Sequence, residues 1–133
     1  MKVCLGQINT TSGDFTGNSD RIVQGIRAAD EAGADVVVFP ELCIPGYLSQ
    51  DLMYHPDYVR RNYEVIGELC DLTKTLASDL HVVVGHIQNN NGAGKPFLNA
   101  ASVLHHGEIK GTYHKHLLPF YDVFDELRYF QPG

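Results

Sequence analysis

The chain has 133 residues, 44% of them hydrophobic and 20% charged, the balance of a protein able to bury one core. Ten Lys and Arg against sixteen Asp and Glu leave a net charge of −6, and the basic residues are scattered, which argues against a nucleic-acid partner. Three cysteines at irregular spacing build neither a disulfide framework nor a paired-Cys zinc site, so a reducing, cytoplasmic setting is expected.

Residues 2–9 read as a first strand. The opening "MKVCLGQIN" fails as a signal peptide, because Gly6, Gln7 and Asn9 interrupt its apolar run. "TTSGDFTGN" is a loop from which Asn18 or Ser19 is expected to cap a helix carrying Ile22, Val23, Ile26 and Ala29, with Gly33 stopping it. "DVVVF" is β-branched without polar alternation, the pattern of a strand covered on both faces, and it is far too short to span a membrane. A second helix is predicted from Pro56 to about Ser78, with Val59, Tyr63, Ile66, Cys70 and Leu76 on its apolar stripe. "HVVVGHI", "FLNAASVLH" and "IKGTYH" then form a three-stranded meander, joined by "NNNGAGKP" and "HHGE". The order is β-α-β-α-β-β-β, an α/β layered design followed by an irregular tail. Six of the thirteen aromatic residues lie in that tail, between Tyr113 and Phe130.

Chemistry concentrates after the strands. Glu41 stands just past the end of "VVVF", where loops of an open α/β sheet converge on a crevice; on position alone a solvated loop residue or a cap is the commoner reading. Lys115 stands at the end of the fifth strand. Alone it reads as a surface charge, but Pro119, Tyr121, Phe124, Glu126, Arg128, Tyr129 and Phe130 follow it, and aromatic walls around a few charges suit a small-molecule pocket. "NNNGAGK" lacks the spacing and the hydroxyl residue of a phosphate-binding loop.

The motifs "VVFPELCIPGY", "PGYLSQDLMYHPDYV", "GNSDRIVQGIRAADEAGADVVVFPEL" and "YHKHLLPFYDVFDELRYFQPG" are similar to the amino-terminal half of the nitrilase superfamily. Within it they resemble most the glutaminase domains of the glutamine-dependent NAD+ synthetases. The resemblance covers the whole chain. It implies an α-β-β-α sandwich of which residues 1–133 supply the first half, and a cysteine amidase acting on L-glutamine. Glu41 would be the general base, Lys115 the oxyanion-stabilising cation, Glu126 a second acid that positions Lys115, and Tyr121 a substrate contact. The family nucleophile lies tens of residues beyond the Lys motif, so no nucleophile is expected in this chain, which reads as an incomplete piece of a longer protein.

Cys43, two residues after Glu41, is the one local candidate to replace that nucleophile. The default for it, as for Cys4 and Cys70, is an inert core thiol. The resemblance further implies ATP with Mg and deamido-NAD+ as requirements of a complete synthetase, a homo-oligomer, and no catalytic metal. His105, His106, His114 and His116 cluster in sequence, but no Cys or carboxylate stands at ligand spacing among them, so no metal site is expected. Another nitrilase-like amidase, of ω-amidase or carbamoylase type, and a non-catalytic partner subunit are the alternatives.

Overall fold

The computed structural model describes residues 1–133. In chain order it contains β1 (Val3–Leu5), α1 (Phe15–Glu31), β2 (Val36–Val38), a 3-10 turn (Gln50–Tyr54), α2 (Pro56–Thr73), β3 (His81–Asn89), β4 (Phe97–His105), β5 (Glu108–His114) and a short α3 (Glu126–Tyr129). The strands form one sheet in the order β1-β2-β3-β4-β5. The first three are parallel, as βαβ crossovers require, and β3, β4 and β5 are the expected antiparallel meander. No helix is long and apolar enough to cross a membrane.

Both long helices follow their apolar spacing. Ile22, Ile26 and Ala29 of α1, and Val65, Ile66 and Leu69 of α2, are buried in a cluster with Val37, Val82, Val84 and Leu104 of the sheet. The reading of β2 as covered on both faces needs correcting. Val37 is buried, whereas Val36 and Val38 on the other face are half-buried, and Val3 and Leu5, which pair with them, are 47% and 80% exposed. The helices sit on one side only, so the second apolar face stays open to a further layer.

Several boundaries differ from expectation, each for a tertiary reason. Asp14, not Asn18 or Ser19, caps α1 by accepting from Gly17 N–H at 2.9 Å. Asn18 is fully buried and instead bonds Thr11 and the Ile44 carbonyl. Helix α2 stops at Thr73, short of Ser78, because Asp30 of α1 accepts the Ala77 and Ser78 amides and draws that segment out of the helix. Tyr63 lies off the buried stripe, 40% exposed, its hydroxyl accepting the Asn89 amide. Strand β1 ends at Leu5 rather than at residue 9.

Candidate active site

Glu41 is delivered by a tight crossing. After β2 the chain turns over β3, with the Ile44 amide bonded to the Gly85 carbonyl at 3.2 Å and Leu42 in the left-handed region at φ 48°. A Cβ on Gly85 would lie 2.4 Å from the Leu42 nitrogen and 2.7 Å from the Pro40 oxygen, so only glycine admits this approach.

Lys115 directly follows β5, and its main chain is held on both sides. Its amide donates to the Asn99 carbonyl at 2.9 Å, and its carbonyl accepts from Gly133 at 3.1 Å. Glu126 opens α3. The aromatic tail folds back to hold it there: Gln131 N–H bonds the Phe97 carbonyl at 2.7 Å, Tyr129 and Phe130 are buried, and Tyr54 packs against both Phe97 and Tyr129. The tail is thus one wall of a pocket, which accounts for its lack of periodicity.

These elements bring three charges to one point. Lys115 Nζ donates to Glu41 Oε1 at 2.7 Å and to Glu126 Oε1 at 3.1 Å. Glu126 Oε2 lies 3.0 Å from the same nitrogen, an ionic contact without hydrogen-bond alignment, so this buried oxygen has no hydrogen-bond partner. The side chains of Glu126, Lys115 and Glu41 are 5%, 28% and 42% exposed, a gradient from a dry wall to an open mouth. Partial burial pulls the Lys115 ammonium down, but the hydrogen bonds and charges of Glu41 and Glu126 outweigh it and hold its pKa above the ordinary lysine value. It stays a cation.

Two members of the cluster were missed in the sequence. Asn99, from β4 and 4% exposed, donates to Glu41 Oε1 at 2.6 Å and so fixes the carboxylate that Lys115 also binds. Its signal was a lone amide inside the apolar run "FLNAASVL". Tyr47 donates its hydroxyl to Glu126 Oε1 at 2.8 Å; burial and the Glu126 carboxylate push this phenol well above its ordinary value. Nothing in its spacing from Glu126, 79 residues away, announced that contact.

Tyr121 sits at the rim, 66% exposed, its ring edge-on to Phe124, which in turn meets Tyr47. Cys43 does not face the cluster as an accessible thiol. It is buried, its Sγ donates to the Gly85 carbonyl at 3.5 Å, and burial pushes its thiol up to about 12. Cys4 and Cys70 belong to β1 and α2. The four clustered histidines separate: His114 bonds Gln88 and His116 meets Tyr113, while His105 and His106 turn to the other end of the sheet. There, contrary to the reading from spacing, a carboxylate does join them, that of Asp79.

The chain matches the family described as carbon-nitrogen hydrolase over residues 2–133. It is 41% identical over 133 residues to the glutamine-dependent NAD(+) synthetase of Thermotoga maritima, covering 100% of this chain, and 40% identical over 131 residues to that of Xanthomonas campestris, covering 98%. It spans 22% of the length of each. The solved glutamine-dependent NAD+ synthetase of Acinetobacter baumannii superposes with a TM-score of 0.86 at 32% identity, over 98% of this chain and 24% of that one. An amidase from Nesterenkonia sp. shares the fold, with a TM-score of 0.83 at 22% identity, over 100% of this chain and 48% of that one. A match of this extent places the chain, whose Glu41, Lys115 and Glu126 meet at the ends of the strands, in the carbon-nitrogen hydrolase family.

Proposed function

We propose that Glu41, Lys115 and Glu126 are the base, the oxyanion donor and the positioning acid of an amidase site that hydrolyses L-glutamine, with the nucleophilic thiol supplied by residues beyond these 133. The single observation that carries the reading is the Lys115 ammonium held between two carboxylates, 2.7 Å from one and 3.0 Å from the other. A free thiol is mostly protonated near neutral pH and needs a base. Glu41 is the exposed carboxylate of the pair, open to an incoming thiol and substrate, while Asn99 and Lys115 fix its orientation.

In this reading the thiol passes its proton to Glu41 and attacks the amide carbonyl. Lys115, already charged and held in place, stabilises the oxyanion. Glu41 returns the proton to the departing ammonia, and the thioester is then attacked by a water that Glu41 deprotonates, releasing glutamate. Glu126, clamped by Tyr47, keeps Lys115 from collapsing wholly onto Glu41.

The similarity to glutamine-dependent NAD+ synthetases supports glutamine as the amide and a downstream amidation as the use of the ammonia. The ATP- and deamido-NAD+-dependent step belongs, in this proposal, to a segment outside these residues, and a reducing cytoplasmic setting fits the three free thiols. Shared folding with a Nesterenkonia amidase keeps a different acyl group as the second reading.

Glutamine-dependent ammonia release by the full natural protein carrying Glu41→Gln tests the assignment. A loss of roughly a hundredfold or more is expected for removal of a general base, with ammonia-driven amidation unaffected. Near-normal glutamine hydrolysis overturns it. Hydrolysis of other amides in preference to glutamine selects the second reading.

A further inference from the structure

We propose that Asp79, His105 and His106 form a binding site for a borderline divalent transition-metal ion, typified by Zn2+, at the end of the sheet opposite the Glu41–Lys115–Glu126 cluster. His105 closes β4 and Lys115 follows β5, so the two sites are on the order of 20 Å apart along the strands.

Both imidazoles aim their Nε2 atoms at the same carboxylate oxygen. His105 Nε2 lies 2.7 Å and His106 Nε2 2.9 Å from Asp79 Oδ1, and the three ligand atoms all fall within 4.8 Å of one another. Ligand atoms of a tetrahedral zinc lie roughly 3.3 Å apart at ordinary bond lengths. Admitting an ion therefore opens the two contacts to the carboxylate by about half an ångström and draws the two imidazole nitrogens, within 4.8 Å of each other, to that same spacing, leaving a fourth position for water. Two imidazole nitrogens and one carboxylate oxygen suit Zn2+, Co2+ or Ni2+; Mg2+ and Ca2+ favour shells built from oxygen. When the imidazoles are neutral, their Nε2 protons shift to Nδ1 as the ion enters, and no net proton is gained or lost.

The cluster is braced. Asp79 follows a segment pinned by Asp30, which accepts from the Ala77 and Ser78 amides and from the Ser78 hydroxyl. His81 stacks on His105 with ring centres 4.0 Å apart and planes 10° off parallel, while its Nδ1 donates to the Asp79 carbonyl at 3.2 Å. His106 and Gly107, at φ 47° and 81°, form the two-residue hairpin turn between β4 and β5, where asparagine-glycine is the favoured pair.

Charge agrees with this. Asp79 has no Lys or Arg partner, because Lys74 pairs with Asp71 and Lys110 with Glu108 nearby. His105 is 13% exposed and anchored, while Asp79 and His106, at 79% and 56%, are open to an arriving ion.

Titration of the full natural protein with Zn2+ by calorimetry, and with Co2+ by absorption, tests the site. One ion per chain, a Co2+ spectrum of nitrogen and oxygen donors, and at least tenfold weaker binding in both Asp79→Asn and His106→Asn are expected. His106→Asn is informative because asparagine suits the turn. Its metal-free melting temperature should hold or rise, while the rise that Zn2+ gives the parent disappears, an outcome that a purely structural histidine would not produce. No uptake, uptake unchanged in both variants, or a thiolate-to-cobalt band overturns the proposal. The readout involves no amide hydrolysis, so its result stands apart from the amidase reading.

Discussion

Replacing Lys115 by methionine keeps the length of the side chain and removes the one cation between two carboxylates. Glu126 is the more exposed to loss in energy, because it is 5% exposed to solvent and would keep only the Tyr47 hydroxyl as a partner. Breaking a buried pair by deleting one member costs about 3–5 kcal/mol. The lower end applies here, since Tyr47 still donates and Lys115 is itself 28% exposed. Glu41 is 42% exposed and keeps its bond from Asn99, so solvent screens its share to a few tenths of a kcal/mol at most.

The expected loss is therefore about 3 kcal/mol. Adding Glu126→Gln removes the uncompensated charge and should restore about 2 kcal/mol of it, a coupling measurable as a double-mutant cycle. Catalysis should not return with stability, because the proposed oxyanion donor is still missing, worth roughly a hundred- to a thousandfold in turnover. Urea unfolding followed by circular dichroism, beside glutamine-dependent ammonia release, measures both quantities on the same preparations. A loss below about 1 kcal/mol in Lys115→Met, of the size expected for an exposed pair, or no recovery on adding Glu126→Gln, refutes the picture of a charge cluster held in a dry wall.

Tyr47→Phe deletes one 2.8 Å hydrogen bond to Glu126 and little else. Bonds to charged groups are worth about 1.5–3 kcal/mol, so ammonia release should fall by roughly ten- to a hundredfold, through turnover more than through KM; an unchanged rate would remove Tyr47 from the site. His86 is buried, 3% exposed, with Nε2 2.7 Å from the Ser102 hydroxyl, and burial holds its pKa below the ordinary 6.5. Between 6.5 and that lower folded value the unfolded chain takes up a proton that the folded chain refuses. Its contribution is then complete above 6.5 and is lost as pH falls, by at most about 1.4 kcal/mol per pH unit. His86→Gln should flatten unfolding free energy against pH between 7.5 and 5.5; an unchanged slope would show that His86 does not drive it.

Element type and order were legible because they depend on short-range patterns. Val36, Val37 and Val38 are β-branched at a strand's length, α1 and α2 show helical spacing, and the turn formers around Gly92 and Gly107 mark the meander. Glu41, Lys115 and Glu126, singled out from their long motifs, meet in the structure although they lie up to 85 positions apart in the chain. What spacing could not supply was who meets whom. The capping role that composition offered to Asn18 went to Asp14, because Asn18 was already committed to Thr11 and Ile44.

The sequence by itself therefore determined the α/β order and the ends of strands where charge would gather. Only the tertiary structure decided that Asn99 and Tyr47 orient the two acids, 58 and 79 residues from their partners, and that Asp79 closes on His105 and His106. The reason is physical. A helix or strand is set by neighbours a few residues away, whereas a hydrogen bond between distant side chains exists only after the sheet register has fixed which strand ends lie side by side.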